Sequence, residues 1–120
     1  MMQVLSLFDL SGRKALVTGA SRGLGQAIAE ALASAGADVA ITARKSDDLS
    51  DTASRIAAHG RTSATLSLDV RDVAACGAAI AQAKDALGGL DILVNNVGAR
   101  DRRPLSEFSD EDVEAWTPGA

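Results

Sequence analysis

Residues 18 to 25 read Thr18-Gly19-Ala20-Ser21-Arg22-Gly23-Leu24-Gly25 and follow directly on the apolar run Ala15-Leu16-Val17. Glycines at a G-x-x-x-G-x-G spacing, between a strand-like run and an alanine-rich amphipathic stretch, are suited to holding the phosphates of a dinucleotide. A side chain at Gly19 would obstruct a tight turn out of the strand. One at Gly23 would keep the backbone away from a pyrophosphate, and one at Gly25 would push the following helix off the sheet. With that helix beginning near Leu24, its free N–H groups and the positive end of its dipole face the anion. The spacing departs from the common G-x-G-x-x-G fingerprint, yet a strand before, a helix after and another strand next supply the context that fingerprint requires. A P-loop is excluded, because Gly25 is followed by Gln26 and Ala27 rather than by Lys and Ser or Thr.

The elements that must position this loop are read from the apolar periodicity, which switches repeatedly between strand-like runs and helix-like stripes, the mark of successive βαβ units and a parallel sheet. Strands are predicted at about residues 14–18, 39–43, 64–68 and 92–95. The first helix would carry Leu24, Ala27, Ile28, Ala31, Leu32 and Ala35 on one face and end at Gly36. The second would be capped by Ser46, with Asp47 and Asp48 in its first turn, would present Leu49, Ala53 and Ile56, and would stop at Gly60. The third would run over about residues 72–87 to the Gly88-Gly89 turn. Right-handed crossovers then bring the carboxyl ends of all the strands to one edge. That edge collects Thr18 and Gly19, Arg44, Asp69, and the run Asn95-Asn96-Val97-Gly98 into one site.

Composition narrows the function classes. The 120 residues have room for one domain, and 47% hydrophobic with 23% charged residues is the balance of a soluble globular chain. No stretch approaches the ~18 to 20 apolar residues of a membrane span, and the opening Met1-Met2-Gln3-Val4 lacks a basic flank, so a cytoplasmic location is expected. A net charge of −4 argues against nucleic acid as a partner. The local basic group Arg100, Arg102 and Arg103 reads as a solvated loop, with a contact to a substrate phosphate or carboxylate as the sharper reading. Cys76 shares a helical stripe with Val73, Ile80, Ala83 and Leu87 and is read as a buried small hydrophobe. His59 precedes Gly60 at a helix end, where an imidazole faces the carbonyl dipoles; one histidine and one cysteine do not make a metal ligand set.

Taken in order, these motifs resemble the short-chain dehydrogenase/reductases, NAD(P)-dependent oxidoreductases on a Rossmann-type, doubly wound α/β sheet. Residues 18 to 25 look like the family's T-G-x-x-x-G-x-G cofactor loop, Ser21, Arg22 and Leu24 included. Asp69-Val70 looks like the Asp-Val pair whose carboxylate accepts from the adenine amino group. Asp91 followed by Ile92-Leu93-Val94-Asn95-Asn96-Val97-Gly98 looks like the D-x-L-V-N-N-A-G element that lines the cofactor site, with Val97 where alanine is usual. Cofactor choice turns on the end of the second strand, where a carboxylate would hold the ribose 2′-OH of NAD. Arg44 stands there instead, and with Arg22 it can pair with a 2′-phosphate, so NADP is preferred and NAD is the second choice.

Family catalysis, as the resemblance implies it, uses a tyrosine, a lysine four residues later and a serine that orients the carbonyl. The chain contains no tyrosine. Catalytic residues are therefore not assigned. The chain reads as a partial Rossmann domain over residues 1–120, the cofactor-binding half of a family member, truncated after about four strands. An exposed fourth strand and bare apolar helix surface are expected. The implied reaction interconverts a secondary alcohol and a ketone, and within the family the opening segment is similar to gluconate 5-dehydrogenases and 3-oxoacyl-carrier-protein reductases, which points to a sugar-acid, polyol or 3-oxoacyl substrate. A homo-oligomer is implied for the full-length form. The competing class is a non-catalytic dinucleotide-binding sensor or interaction module, or an inactive truncated product.

Overall fold

The computed structural model describes residues 9–96. Strands β1 (Lys14–Val17), β2 (Asp38–Ala43), β3 (Ser63–Ser67) and β4 (Ile92–Val94) alternate with helix α1 (Gly23–Ser34), a 3₁₀ turn (Ser46–Leu49) running into helix α2 (Ser50–Ala58), and helix α3 (Val73–Leu87). The strands pair in the order β3-β2-β1-β4, all parallel, with Leu16 level with Ala40 on one side and Leu93 on the other. The predicted strands and the three predicted helices within the described residues are present, most ends shifted by a residue or two, and the second helix begins as a 3₁₀ turn before its α-helical part at Ser50.

Parallel strands are covered on both faces, which is why β1 and β2 are apolar without a break. Side chains alternate between the faces. Ala15, Val17, Val39 and Ile41 pack with Ala29 and Ala33 of α1 and with Leu49 and Ile56. Leu16 and Ala40 point the other way, against Ala83 and Leu87 of α3. Helices on opposite faces of one sheet make the doubly wound layering expected from the sequence.

Four helix details differ from expectation. On α1 the buried positions are Gly25, Ala29 and Ala33, while Leu24 is 69% exposed. The smallest side chains face the sheet because the helix lies close to it, and the larger Ile28 and Leu32 pack at its margin. Ser46 does not cap α2: it is the first residue of the 3₁₀ turn and makes no side-chain cap bond, and Thr52 is buried along with Leu49 and Ile56. Cys76 is only half-buried, in the open first turns of α3, where Val73 is 74% exposed. Asp72, in contrast, caps α3 as its position predicts, accepting from the Ala75 N–H at 3.1 Å. His59 ends α2 with its Nε2 3.8 Å from Glu30 Oε1, so a carboxylate of α1 is its partner rather than the helix carbonyls.

The amino ends of the strands are pinned by carboxylates. Asp38, its side chain 9% exposed, accepts from Lys14 Nζ, from Arg61 Nε and Nη2 at 3.2 and 3.1 Å, and from the Thr62 N–H at 3.0 Å. Its pKa is lowered to about 2, chiefly by the Lys14 hydrogen bond acting against burial. Asp91 accepts from the Lys14 N–H at 2.9 Å and so sets β4 beside β1. Leu93, 54% exposed, stands on the α3 face of β4. Among the described residues, no helix is long and apolar enough to cross a membrane.

Candidate functional site

The parallel order places the carboxyl ends of β1, β2 and β4 side by side, and the segments leaving them are tied together by hydrogen bonds. Thr18 is the central knot. Its N–H donates to the Val94 carbonyl at 3.1 Å, while its hydroxyl accepts from the Asn96 N–H at 3.0 Å and donates to Asn95 Oδ1 at 3.1 Å. Asn96 Nδ2 in turn donates to the Gly19 carbonyl at 3.1 Å. Thr18, Gly19, Asn95 and Asn96 therefore form one unit across residues 77 or 78 apart in sequence.

Gly19 has φ +60°, and a Cβ there would lie 2.6 Å from the Asn96 backbone oxygen, so both conformation and space demand glycine. Gly25 is constrained harder: a Cβ would fall 2.1 Å from the Gly19 oxygen and 2.7 Å from Asn96 Nδ2. From sequence, a side chain at Gly25 is expected to collide with the sheet; in the structure the collision is with the loop itself. Gly23 has φ +61° and open space where a Cβ would project. Helix α1 starts with Arg22 as an extended N-cap residue that makes no side-chain cap bond, and its first turn holds no acidic residue. Its opening N–H groups and dipole are thus presented at the mouth of the loop without a built-in anion.

The far side of the loop is held by residues that the sequence pattern does not single out. The Ala20 N–H donates to the Thr42 carbonyl of β2 at 2.9 Å. The buried Thr52 hydroxyl donates to the Ala20 carbonyl at 2.7 Å and accepts from Gln26 Nε2 at 3.0 Å. The same Gln26 nitrogen lies 2.9 Å from Asp51 Oδ2 and 3.4 Å from the Ser21 carbonyl. The one signal in the chain is a threonine at the i+3 position from Leu49 on an otherwise apolar helix stripe, where a hydroxyl needs a partner.

Arg44 follows β2 with its side chain exposed, and its carbonyl accepts from Ser67 Oγ at 2.6 Å. Asp69, after β3, is held by a neighbour rather than standing open: Arg71 donates from Nη2 to Oδ2 at 2.9 Å and from both Nε and its backbone N–H to Oδ1 at 3.1 and 3.0 Å. These Arg71 bonds, helped by the charge of Arg44, bring the Asp69 pKa down to about 2. An Asp with an Arg two residues on is the pattern that could have revealed the clamp. Val70, Thr18, Leu68, Leu93 and Asn95 line a groove of about 290 Å³ that they share with Cys76, Ala79 and Ile80 on the sheet-facing side of α3. Of the site residues named from sequence, Val97 and Gly98 lie outside the described residues, as do Arg100, Arg102 and Arg103.

Comparison with known proteins agrees with this geometry. Residues 13–117 match the short chain dehydrogenase family. Gluconate 5-dehydrogenase of Gluconobacter oxydans is 43% identical over 106 residues, covering 88% of this chain and 41% of that protein. The structure of a 3-oxoacyl (acyl-carrier-protein) reductase from Agrobacterium tumefaciens C58 with NADP bound superposes with a TM-score of 0.78 at 39% identity, over 95% of this chain and 44% of that one. Carveol dehydrogenase from Mycobacterium avium in complex with NAD gives 0.74 at 31% identity, over 88% and 43%. The chain spans about two fifths of the length of the curated relatives it matches. A match that runs through the glycine loop, the Asp69 turn and the strand before Asn95 leaves one assignment: this chain belongs to the short chain dehydrogenase family.

Proposed function

We propose that this chain carries the cofactor-binding half of an oxidoreductase that interconverts a secondary alcohol and a ketone with NADP(H). The observation that carries the reading is the packing of Gly25 on Gly19 beneath Asn96, which brings the uncapped start of α1 against the loop with no room for any larger residue at either glycine. The residues fit a dinucleotide: loop and helix N–H groups for the pyrophosphate, Asp69 and Val70 for the adenine, and Thr18, Asn95, Asn96, Val97 and Gly98 along the nicotinamide side. When bound, the nicotinamide gives or takes a hydride; the chain's own part is to hold and orient it.

Arg44, with Arg22, favours NADP over NAD, since each can pair with a 2′-phosphate and neither accepts from a ribose hydroxyl. A sugar acid, polyol or 3-oxoacyl compound is the proposed substrate class, supported by the names of its relatives. We also read the working protein as a cytoplasmic homo-oligomer. No tyrosine is available among these 120 residues to pass a proton to substrate. The test is a titration of the 120-residue chain with NADPH, followed by fluorescence, beside an assay for alcohol oxidation and ketone reduction. Saturable binding without turnover supports the reading. Turnover above background, or no binding at millimolar NADPH, overturns it.

A further inference from the structure

The loop from Gly19 to Ser21 presents successive carbonyls, and each is approached by a side chain from a different element: Asn96 beyond β4, Thr52 in α2 and Gln26 in α1. In a planar trans peptide the C=O and the following N–H point in opposite directions. Fixing a carbonyl therefore aims the next N–H. The first peptide shows the principle: the Gly19 carbonyl is turned to Asn96, and the Ala20 N–H accordingly meets the Thr42 carbonyl on the other side at 2.9 Å. In the second, the Ala20 carbonyl is drawn into the protein by the Thr52 hydroxyl at 2.7 Å, which turns the Ser21 N–H to the opposite side, away from Thr52.

We propose that Thr52, oriented by Gln26, is a positioning residue for the dinucleotide pyrophosphate: its buried hydroxyl engages the Ala20 carbonyl inside the fold and so aims the Ser21 N–H at the anion. The inference rests on the nucleotide-binding reading above. Thr52 is fully buried and does not reach the ligand side of the loop. Its hydroxyl uses both of its capacities, donating to Ala20 and accepting from Gln26, so neither a hydrocarbon nor a lone acceptor can replace it. Without the hydroxyl, the Ala20 carbonyl is left unpaired in the interior, and the peptide gains by rotating it toward solvent, which places an acceptor against the phosphate. Helix α2 follows the segment that begins at Arg44, so one crossover holds both the residue proposed for the 2′-phosphate and the residue proposed to shape the pyrophosphate loop.

The test uses the 120-residue chain with two ligands and an amide probe. Thr52→Val keeps the shape and removes the hydroxyl, and Thr52→Ser restores it. Thr52→Val is expected to weaken NADPH about tenfold while adenosine 2′-monophosphate, which has no pyrophosphate, binds within about twofold of the unaltered chain. Thr52→Ser should recover NADPH affinity. Undiminished NADPH binding by Thr52→Val, or equal weakening of both ligands, overturns the proposal. Should Thr52→Val fail to fold, Gln26→Leu replaces it, with NADPH weakened about threefold and adenosine 2′-monophosphate unaffected. If the unaltered chain binds no NADPH, the nucleotide reading falls by itself, and exchange of the Ser21 amide without ligand decides the positioning role. Exchange about tenfold slower in Thr52→Val and restored in Thr52→Ser supports it; exchange in Thr52→Val that is equal to or faster than that of the unaltered chain refutes it.

Discussion

The α-carbon of Gly25 sits so close to the Gly19 carbonyl that a Cβ at position 25 would fall 2.1 Å from that oxygen. The first turn of α1 therefore rests on the loop, and the two move as one body. On the proposed reading, a phosphate cradle built on this contact would lose little ordering entropy on binding.

Replacing Gly25 by Ala forces the loop and helix apart. The expected result is a loss of about 1–3 kcal/mol of stability, as for other overpacked sites, together with loss of NADPH binding. Gly77, in the exposed middle of α3 with nothing within 4 Å of its missing Cβ, is the internal control. Gly77→Ala should stabilise the chain by roughly 0.5–1 kcal/mol. Urea unfolding of the two variants side by side checks both signs.

Arg44→Asp places a carboxylate where a 2′-phosphate would sit and a ribose hydroxyl could donate. NADPH affinity should fall by at least about tenfold and the NADPH/NADH preference should invert. Competitive titration of the two cofactors measures the change, and an unaltered preference would remove Arg44 from the site.

Acid should unfold the chain partly through Asp38. Its pKa lies near 2 in the folded state against 3.8 for the free side chain, so the unfolded chain takes up the proton first. The stabilisation is complete above about pH 5 and is lost as pH falls from about 4 to 2, with a total of about 2 kcal/mol. Denaturation midpoints taken from pH 6 down to pH 2 should show this loss, and Asp38→Asn should flatten it while lowering stability at neutral pH.

Two threonines ten positions apart should answer oppositely to the same change. Among the described residues the buried Thr42 hydroxyl has no hydrogen-bond partner, whereas Thr52 has two. Thr42→Val should leave stability unchanged or raise it by up to ~1 kcal/mol, and Thr52→Val should lower it by about 1–3 kcal/mol. Thermal melts of both variants make the comparison.

Much of the architecture could be read from the chain because local chemistry and tertiary placement agree there. Ala15, Leu16 and Val17 are apolar because helices cover both faces of β1, and Asp72 announces the start of α3 by capping it. The glycine loop was legible for the same reason: only glycine tolerates the backbone of Gly19. Where sequence and structure part, the deciding partner lies elsewhere in the chain. Leu24 is hydrophobic yet exposed because close approach of α1 to the sheet admits only Gly25, Ala29 and Ala33. Thr52 could be placed on the α2 stripe, but its bond to a carbonyl 32 residues earlier has no local mark. The clamp of Arg71 on Asp69 was within reach, since both residues lie in one turn.

The Thr18 hydroxyl joins a loop near the amino terminus to Asn95 and Asn96, separated from it by 77 and 78 residues. During synthesis the glycine loop leaves the ribosome long before its partners exist. Its carbonyl at Gly19 and its hydroxyl at Thr18 must wait, solvated, while β2, β3 and all three crossover helices form. The loop is thus translated well before the residues that complete it, and its closure carries the slow step expected of contacts distant in sequence. A nascent chain halted before residue 96 would hold the whole glycine motif and still lack the side chain that ties down the Gly19 carbonyl.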